Sequence, residues 1–111
     1  MSRTIRQQIQ ADLVVALKAG DVVTVSVLRT TLAALANAEA VDPAAGAPLV
    51  RAGLLGDVER RNLATDDVVA VVAAERDELQ AAADLLDQAG RAAAAGACRA
   101  RAAILGRYLA A

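Results

Sequence analysis

Four segments of the chain carry apolar residues at the spacing of an α-helix, and this periodicity is the strongest constraint on the fold. The segments cover about residues 3–19, 22–40, 66–88 and 91–109. In chain order, the predicted stripes are Ile5, Ile9, Leu13, Ala16 and Leu17; Thr24, Val27, Leu28, Thr31, Leu35 and Ala38; Val68, Val72, Leu79, Ala82 and Leu86; and Ala94, Ala97, Cys98, Ile104, Leu105 and Tyr108. A helix with one apolar stripe must bury that stripe against another element. A chain of 111 residues supplies one modest core of this kind but not two. We therefore predict an all-α fold of four helices in a single domain, residues 1–111.

Short breaks between the segments predict how the helices are connected. Gly20 can end one helix in the left-handed conformation, and the Asp21 carboxylate can cap the next helix. Gly90 stands in the same way between the third and fourth segments. Ser2 and Thr65 are the expected N-caps of the first and third helices. Because tight turns join neighbouring helices, the pattern predicts two antiparallel helical hairpins.

A connector, residues 41–64, separates the two hairpins. It has no helical periodicity, and prolines and glycines punctuate it at Pro43, Gly46, Pro48, Gly53 and Gly56. Its length is typical of either a mobile linker or a functional loop, and the sequence leaves both alternatives open.

The second segment contains β-branched residues that would also suit a strand, namely Val22, Val23, Val25 and Val27. Its apolar residues nevertheless keep helical spacing along the full length of the segment, which favours a helix. The loss of helix propensity is only a few tenths of a kcal/mol per residue relative to alanine, roughly, and tertiary packing can offset it.

The apolar content is almost entirely aliphatic. The chain is 57% hydrophobic, yet Tyr108 is its single aromatic residue. The core must therefore be built from Ala, Val, Leu and Ile, without the large buried area that rings supply. A core of this size would gain from further burial on self-association, so a homodimer is one expected state.

Charge and cysteine content exclude several classes of function. Twelve basic residues nearly cancel thirteen acidic ones, giving a net charge of -1, so DNA binding is not expected and strong non-specific binding to phosphate backbones is disfavoured. The single Cys98 excludes an internal disulfide and favours a reducing, cytoplasmic location. Charged residues interrupt every apolar run before the roughly 18 residues that cross a membrane, so no membrane association is expected.

The elements of catalysis are also missing from the sequence. The chain has no histidine to serve as an acid, a base or a zinc ligand, and no glycine-rich phosphate loop. Cys98 lies in an alanine-rich helix without a base to activate it, which favours a packing role. The acidic side chains of the third helix fit a solvated face better than a cation site. We therefore predict no catalytic residue, no cofactor and no metal site.

Two charged residues interrupt the apolar stripes of the second hairpin. Glu75 lies between Val72 and Leu79, and Arg101 lies on the corresponding face of the fourth helix. An unpaired charge would be costly to bury at either position. We predict a partly buried ion pair between Glu75 and Arg101, with Glu78 as the rival partner.

Several short strings of residues occur along the chain in an order that resembles a known family. They are Ala11-Asp12-Leu13, Ala16-Leu17-Lys18-Ala19-Gly20-Asp21, Val27-Leu28-Arg29, Ala33-Ala34-Leu35-Ala36-Asn37-Ala38-Glu39, Arg60-Arg61-Asn62-Leu63-Ala64-Thr65-Asp66-Asp67-Val68, Ala89-Gly90-Arg91 and Ile104-Leu105-Gly106-Arg107-Tyr108-Leu109. In this order and spacing they resemble the N-terminal part of the GatB/YqeY family. The resemblance covers most of the chain outside the connector.

The resemblance implies an all-helical domain related to the tail of the B subunit of the glutamine-dependent aspartyl/glutamyl-tRNA amidotransferase. Members of the family are associated with carbon-nitrogen ligase activity that uses glutamine as the amide donor, but the centres of that enzyme have no counterpart here. Relatives usually continue into a second small helical domain, which is expected to be absent. They also tend to carry several Lys and Arg residues after the glutamate matched by Glu75, where this chain has Asp77 and Glu78.

Two functions follow as expectations. The first is a non-catalytic accessory module that binds tRNA or amidotransferase subunits, with Lys18, Arg29, Arg60 and Arg61 as the cations to test. The ordinary role of those side chains is solvated surface charge. The alternative is a protein-interaction or self-associating helical module without a role in RNA.

Overall fold

The computed structural model describes residues 3–40 and 65–110, and these ranges are helical with only short turns between helices. The helices are α1, Ile5–Ala19; α2, Val22–Ala40; α3, Thr65–Gln88; and α4, Ala92–Leu109. Four helices without a strand in the described ranges confirm the all-α prediction, including a helix where the β-branched residues cluster. The predicted connector, residues 41–64, lies outside the described residues.

Helix α1 begins later than predicted, because Thr4 rather than Ser2 caps it. The Thr4 hydroxyl accepts a hydrogen bond from the Gln7 backbone N–H at 3.1 Å, and the Gln7 side chain accepts one from the Thr4 N–H at 3.0 Å. This reciprocal capping box satisfies two backbone donors at once. Ser2 itself lies outside the described residues.

The turn between α1 and α2 has the predicted chemistry. Gly20 takes the left-handed conformation at φ 71°, which a side chain would strain, and its N–H and that of Asp21 bond to carbonyls in the last turn of α1. The Asp21 carboxylate then accepts hydrogen bonds from the Thr24 N–H at 3.1 Å and the Thr24 hydroxyl at 2.7 Å. These two bonds, the hydroxyl first, lower the pKa of Asp21.

The core is small and aliphatic, as the composition predicts. Its members are Ile9, Val27, Leu28, Leu35, Val72, Ile104 and Leu105, with Ile5, Leu13, Leu32, Val68, Val71, Leu79, Tyr108 and Leu109 partly buried around them. All four helices contribute to this cluster. Helices α3 and α4 make the most extensive contact of any pair, and α2 packs against both of them as well as against α1.

Three alanines of α3 and α4 are buried at positions outside the predicted apolar stripes. Ala83, Ala95 and Ala102 are buried, although the stripe predictions for α3 and α4 did not include them. Small side chains at such positions allow two helix backbones to approach closely. The opposite error concerns Leu17, which the α1 stripe included but which is 48% exposed.

Polar contacts join helices that are distant in sequence. The Tyr108 hydroxyl at the end of α4 donates to the Asp12 carboxylate on α1 at 2.6 Å. The Arg6 guanidinium lies 2.6 Å from the Glu39 carboxylate, an ion pair between α1 and α2 that lacks the alignment of a hydrogen bond. Arg99 on α4 contacts Asp84 and Asp87 on α3 at 3.1 and 2.5 Å. The last pair of contacts joins α3 to α4.

Across the described ranges, no helix combines the length and the apolar character that crossing a membrane requires.

Candidate functional site

A cavity of about 390 Å³ lies where α2, α3 and α4 meet. Its apolar wall consists of Val27, Leu79 and Leu105. Six polar or charged residues complete the lining: Ser26, Thr30 and Thr31 from α2, Glu75 and Glu78 from α3, and Arg101 from α4. We call this space the polar cavity. Polar side chains therefore converge on a space that opens beside the aliphatic core.

Helical spacing explains why these residues share one space. Glu75, Glu78 and Leu79 lie three and four positions apart on α3, and residues at that spacing project from the same face of a helix. Arg101 and Leu105 have the same relation on α4. Each helix thus places an apolar side chain next to a charged one at the edge of the core.

Among the residues that the structure describes, Glu75 forms no ion pair. Burial raises its pKa, and the like charge of Glu78 raises it further. A direct ion pair would act in the opposite direction, because a cation close to a carboxylate favours its charged form.

The predicted ion pair between Glu75 and Arg101 is not formed. The two side chains line the same cavity and both are half-buried, but among the described ion pairs neither Glu75 nor its rival Glu78 contacts Arg101. The Nε of Arg101 is buried and has no hydrogen-bond partner within the described part of the chain.

The hydroxyl groups on α2 differ in their availability. Thr31 is buried, and its hydroxyl donates to the Val27 carbonyl at 2.9 Å within its own helix. Ser26 and Thr30 are exposed at the mouth of the cavity. They are the hydroxyls that remain available to a bound molecule.

Two further kinds of chemistry can be compared with the structure, a cysteine nucleophile and a metal site. Cys98 is half-buried on α4, and no histidine exists in the chain to activate it. Over residues 3–40 and 65–110, no group of three or more Cys, Asp or Glu side chains is placed to hold a metal ion. Another cavity of about 340 Å³ lies beside Gln80, Asp84, Arg99 and Ala102, where the Arg99 charge is already paired.

A separate surface feature is the aliphatic end of the molecule, defined by Val14, Val15, Leu17, Val22 and Val23. These residues are five of the seven large apolar side chains that are exposed in the described ranges, at 44 to 77% exposure. All of them lie within one helical turn or two of the Gly20 turn. Helical periodicity does not reveal this surface, because Leu17 continues the apolar stripe of α1 and the valines of α2 keep a spacing that also suits burial.

The cations suggested by the resemblance are divided by the structure. Lys18 and Arg29 are both exposed, and neither takes part in the ion pairs found in the described ranges. Arg60 and Arg61 lie outside the described residues, so their position relative to Lys18 and Arg29 stays a prediction. The described ranges contain nine basic and ten acidic side chains, a net charge of -1. These cations are therefore not part of a basic excess in that part of the chain.

Comparison with known proteins gave no match, either to a family model, to a curated protein or to a solved structure. The resemblance to the GatB/YqeY family therefore stands on the strings quoted above, and the site is interpreted from its own residues.

Proposed function

We propose that this protein is a non-catalytic helical binding module, and that its aliphatic end docks onto another protein. The concentration of exposed Val and Leu side chains around one turn is the observation that carries this proposal. Scattered apolar residues are normal on protein surfaces, whereas a cluster of them is typical of an interaction site.

The energy available at this surface is adequate for a specific contact. Burying a Val or Leu side chain completely contributes roughly 1.5–3 kcal/mol, and these five residues are on average about half exposed. Covering them would contribute roughly 5 kcal/mol before the cost of association is subtracted. A partner would therefore need further contacts around this centre to bind tightly.

The resemblance indicates the partner to test first. A module related to the tail of the amidotransferase B subunit is expected to bind an amidotransferase subunit, and a second copy of this chain is the alternative. Sedimentation velocity distinguishes these outcomes, because the protein alone reports self-association and a mixture with purified amidotransferase reports the complex.

A charge-insertion pair tests the surface directly. Val15→Lys combined with Val22→Lys places two charges at exposed positions, so the fold should survive while docking is lost. Leu85→Lys is the matched control, because Leu85 is 66% exposed on α3 and lies outside the aliphatic end. Undiminished binding by the double variant would rule out docking at this end.

A role in binding tRNA is the second candidate, supported by the exposure of Lys18 and Arg29, which join no ion pair with another described residue. Binding through phosphate contacts must weaken as salt rises, because each contact releases counterions. A titration of bulk tRNA at low and at moderate ionic strength measures this slope. Replacing Lys18, Arg29, Arg60 and Arg61 with alanine should then reduce both the affinity for tRNA and its dependence on salt concentration. An affinity that does not change with salt concentration would exclude this role.

The chain alone is not expected to catalyse a reaction. The carbon-nitrogen ligase activity associated with the family needs centres for which this sequence has no counterpart. The purified protein is therefore expected to release no ammonia from glutamine, and measurable hydrolysis would contradict the non-catalytic assignment.

A further inference from the structure

We propose that the polar cavity binds a small zwitterion, a molecule with one ammonium group and one carboxylate, such as a short amino acid. This site is separate from the aliphatic end and does not depend on protein docking. Charged side chains of opposite sign line this cavity without forming an ion pair among the described residues.

The two kinds of charge come from different helices. Glu75 and Glu78 line the cavity from α3, and Arg101 lines it from α4. They are not in ion-pair contact, and the buried Arg101 Nε has no partner in the described residues. A ligand carboxylate would accept hydrogen bonds from the guanidinium, and a ligand ammonium would donate to the glutamates.

The size of the space fits a small organic molecule. At about 390 Å³ it falls at the lower end of the range of ligand pockets, roughly 300 to 1,000 Å³. A bare ion would leave most of the volume to water. The apolar wall of Val27, Leu79 and Leu105 gives the carbon chain of a ligand a surface to contact.

Other ligand classes fit the lining less well. A divalent cation prefers several carboxylate or carbonyl oxygens, but here an arginine faces the two glutamates. A simple anion would be repelled by Glu75 and Glu78, and a simple amine would leave the Arg101 donor unpaired. A zwitterion is the class that satisfies both sides, with the Ser26 and Thr30 hydroxyls available at the mouth.

The raised pKa of Glu75 agrees with this complementarity. Besides Glu75, the charged residues that line the cavity are Glu78, from the same helix, and Arg101, from α4. The polar residues that α2 contributes are Ser26, Thr30 and Thr31, and they carry no charge. Burial and Glu78 together disfavour the Glu75 carboxylate. An ammonium group in the cavity would favour the carboxylate and lower this pKa again.

Isothermal titration calorimetry of the whole chain tests the proposal with defined probes. Glycine, β-alanine, γ-aminobutyrate and 5-aminopentanoate form a series in which the separation of the two charges increases. Butylamine and butyrate are the matched single-charge controls for γ-aminobutyrate. We expect at least one member of the series to bind about tenfold more tightly than either control, which corresponds to about 1.4 kcal/mol.

Variants connect that binding to the cavity. Glu75→Gln and Arg101→Gln should each weaken the best probe by about tenfold or more. Arg107→Gln is the matched control, since Arg107 is exposed on α4 and does not line the cavity, and it should bind like the wild type. If Arg101→Gln fails to fold, Thr30→Val and Glu75→Gln still test the site, and NMR shifts of Leu79 and Thr30 on titration give a second reading.

Three results would overturn the proposal. The first is the absence of heat and of NMR shifts for every amino acid in the series. The second is equal binding of butylamine or butyrate and the amino acids, which would mean that one charge is sufficient. The third is binding that survives both Glu75→Gln and Arg101→Gln unchanged, which would place the probe elsewhere.

Discussion

Replacing Glu75 with glutamine tests whether Glu75 pairs with Arg101 between α3 and α4. The free energy of unfolding should fall if the pair exists and rise slightly if it does not. If Glu75 formed a buried ion pair with Arg101, removing its charge would destabilise the protein by about 3–5 kcal/mol, because the arginine would be left unpaired. In the structure the pair is not formed, and burial together with Glu78 raises the Glu75 pKa. The substitution should therefore stabilise the protein at neutral pH, by less than about 1 kcal/mol for a half-buried group.

The pH dependence of this difference follows from proton linkage. A carboxyl group whose pKa is higher in the folded protein binds more protons when folded, so the stability of the wild type falls as pH rises through the interval between the two pKa values. Glutamine does not titrate. The advantage of Glu75→Gln should therefore develop as pH rises above the ordinary glutamate pKa of about 4.3, and it should disappear below it.

Urea unfolding followed by far-ultraviolet circular dichroism measures both statements. The free energy of unfolding is compared for wild type and Glu75→Gln at neutral pH and at about pH 3.5, below the ordinary glutamate pKa. Asp77→Asn is a matched control on the same helix, since Asp77 is 62% exposed and its pair with Arg76 should contribute at most about 1 kcal/mol. A loss of more than about 1 kcal/mol in Glu75→Gln at neutral pH would refute the unpaired description.

The remaining predictions concern the core, a cross-helix bond and a helix cap. Leu28 is fully buried, so Leu28→Ala should lower the free energy of unfolding by about 3 kcal/mol in urea titrations, whereas Leu85→Ala at 66% exposure should stay within about 0.5 kcal/mol of wild type. Tyr108→Phe removes the 2.6 Å hydrogen bond to Asp12 and should cost about 1 kcal/mol by the same assay; no loss would mean that water replaces the bond fully. Asp21 has a lowered pKa, so its cap stabilises the fold above the ordinary aspartate pKa and is lost as pH falls. Asp21→Ala should therefore lower the thermal midpoint at neutral pH, and the two midpoints should converge in acid; a constant gap would contradict a role for the charge.

Helix positions were predictable because burial and backbone capping both leave local signals in the sequence. The apolar period places the helices, and the Gly20-Asp21 and Gly90 turns separate them where expected. The error at the start of α1 is instructive, since Ser2 and Thr4 are both good N-cap residues. Gln7, three positions after Thr4, completes a capping box and is the local signal that should have decided between them.

The distances between helices could not be predicted in the same way, because they leave no local pattern in the sequence. The sequence correctly placed Glu75 and Arg101 on the faces that meet, because that depends only on position within each helix. Whether the charged groups touch depends on helix rotation and on the separation of α3, α4 and α2, which is set by tertiary packing. The buried alanines Ala95 and Ala102 illustrate this, since a small residue contributes little to a hydrophobic period yet determines how closely two helices approach.

The aliphatic end was missed for a related reason. Periodicity identifies residues that are able to pack, but it does not say whether a partner helix extends far enough to cover them. Leu17 continues the stripe that contains Leu13, yet it lies in the last turn of α1 and remains 48% exposed. Exposure of this kind can be recognised only when the ends of neighbouring helices are placed in space.

Arg99 and Arg101 differ in their partners, and the difference bears on the energetics of binding at the polar cavity. Arg99 reaches Asp84 and Asp87 across the same pair of helices, so α4 arginines contact α3 carboxylates where the packing permits it. Arg101, two residues further on, faces Glu75 across the polar cavity instead. A zwitterion that enters this space would supply the missing counter-charges and stabilise the folded wild type by RT ln(1 + [L]/Kd). The advantage expected for Glu75→Gln should accordingly shrink or reverse in γ-aminobutyrate or whichever probe binds best, because the variant can no longer pair with the ammonium group. Equal stabilisation of wild type and Glu75→Gln by that probe would show that Glu75 does not contact it.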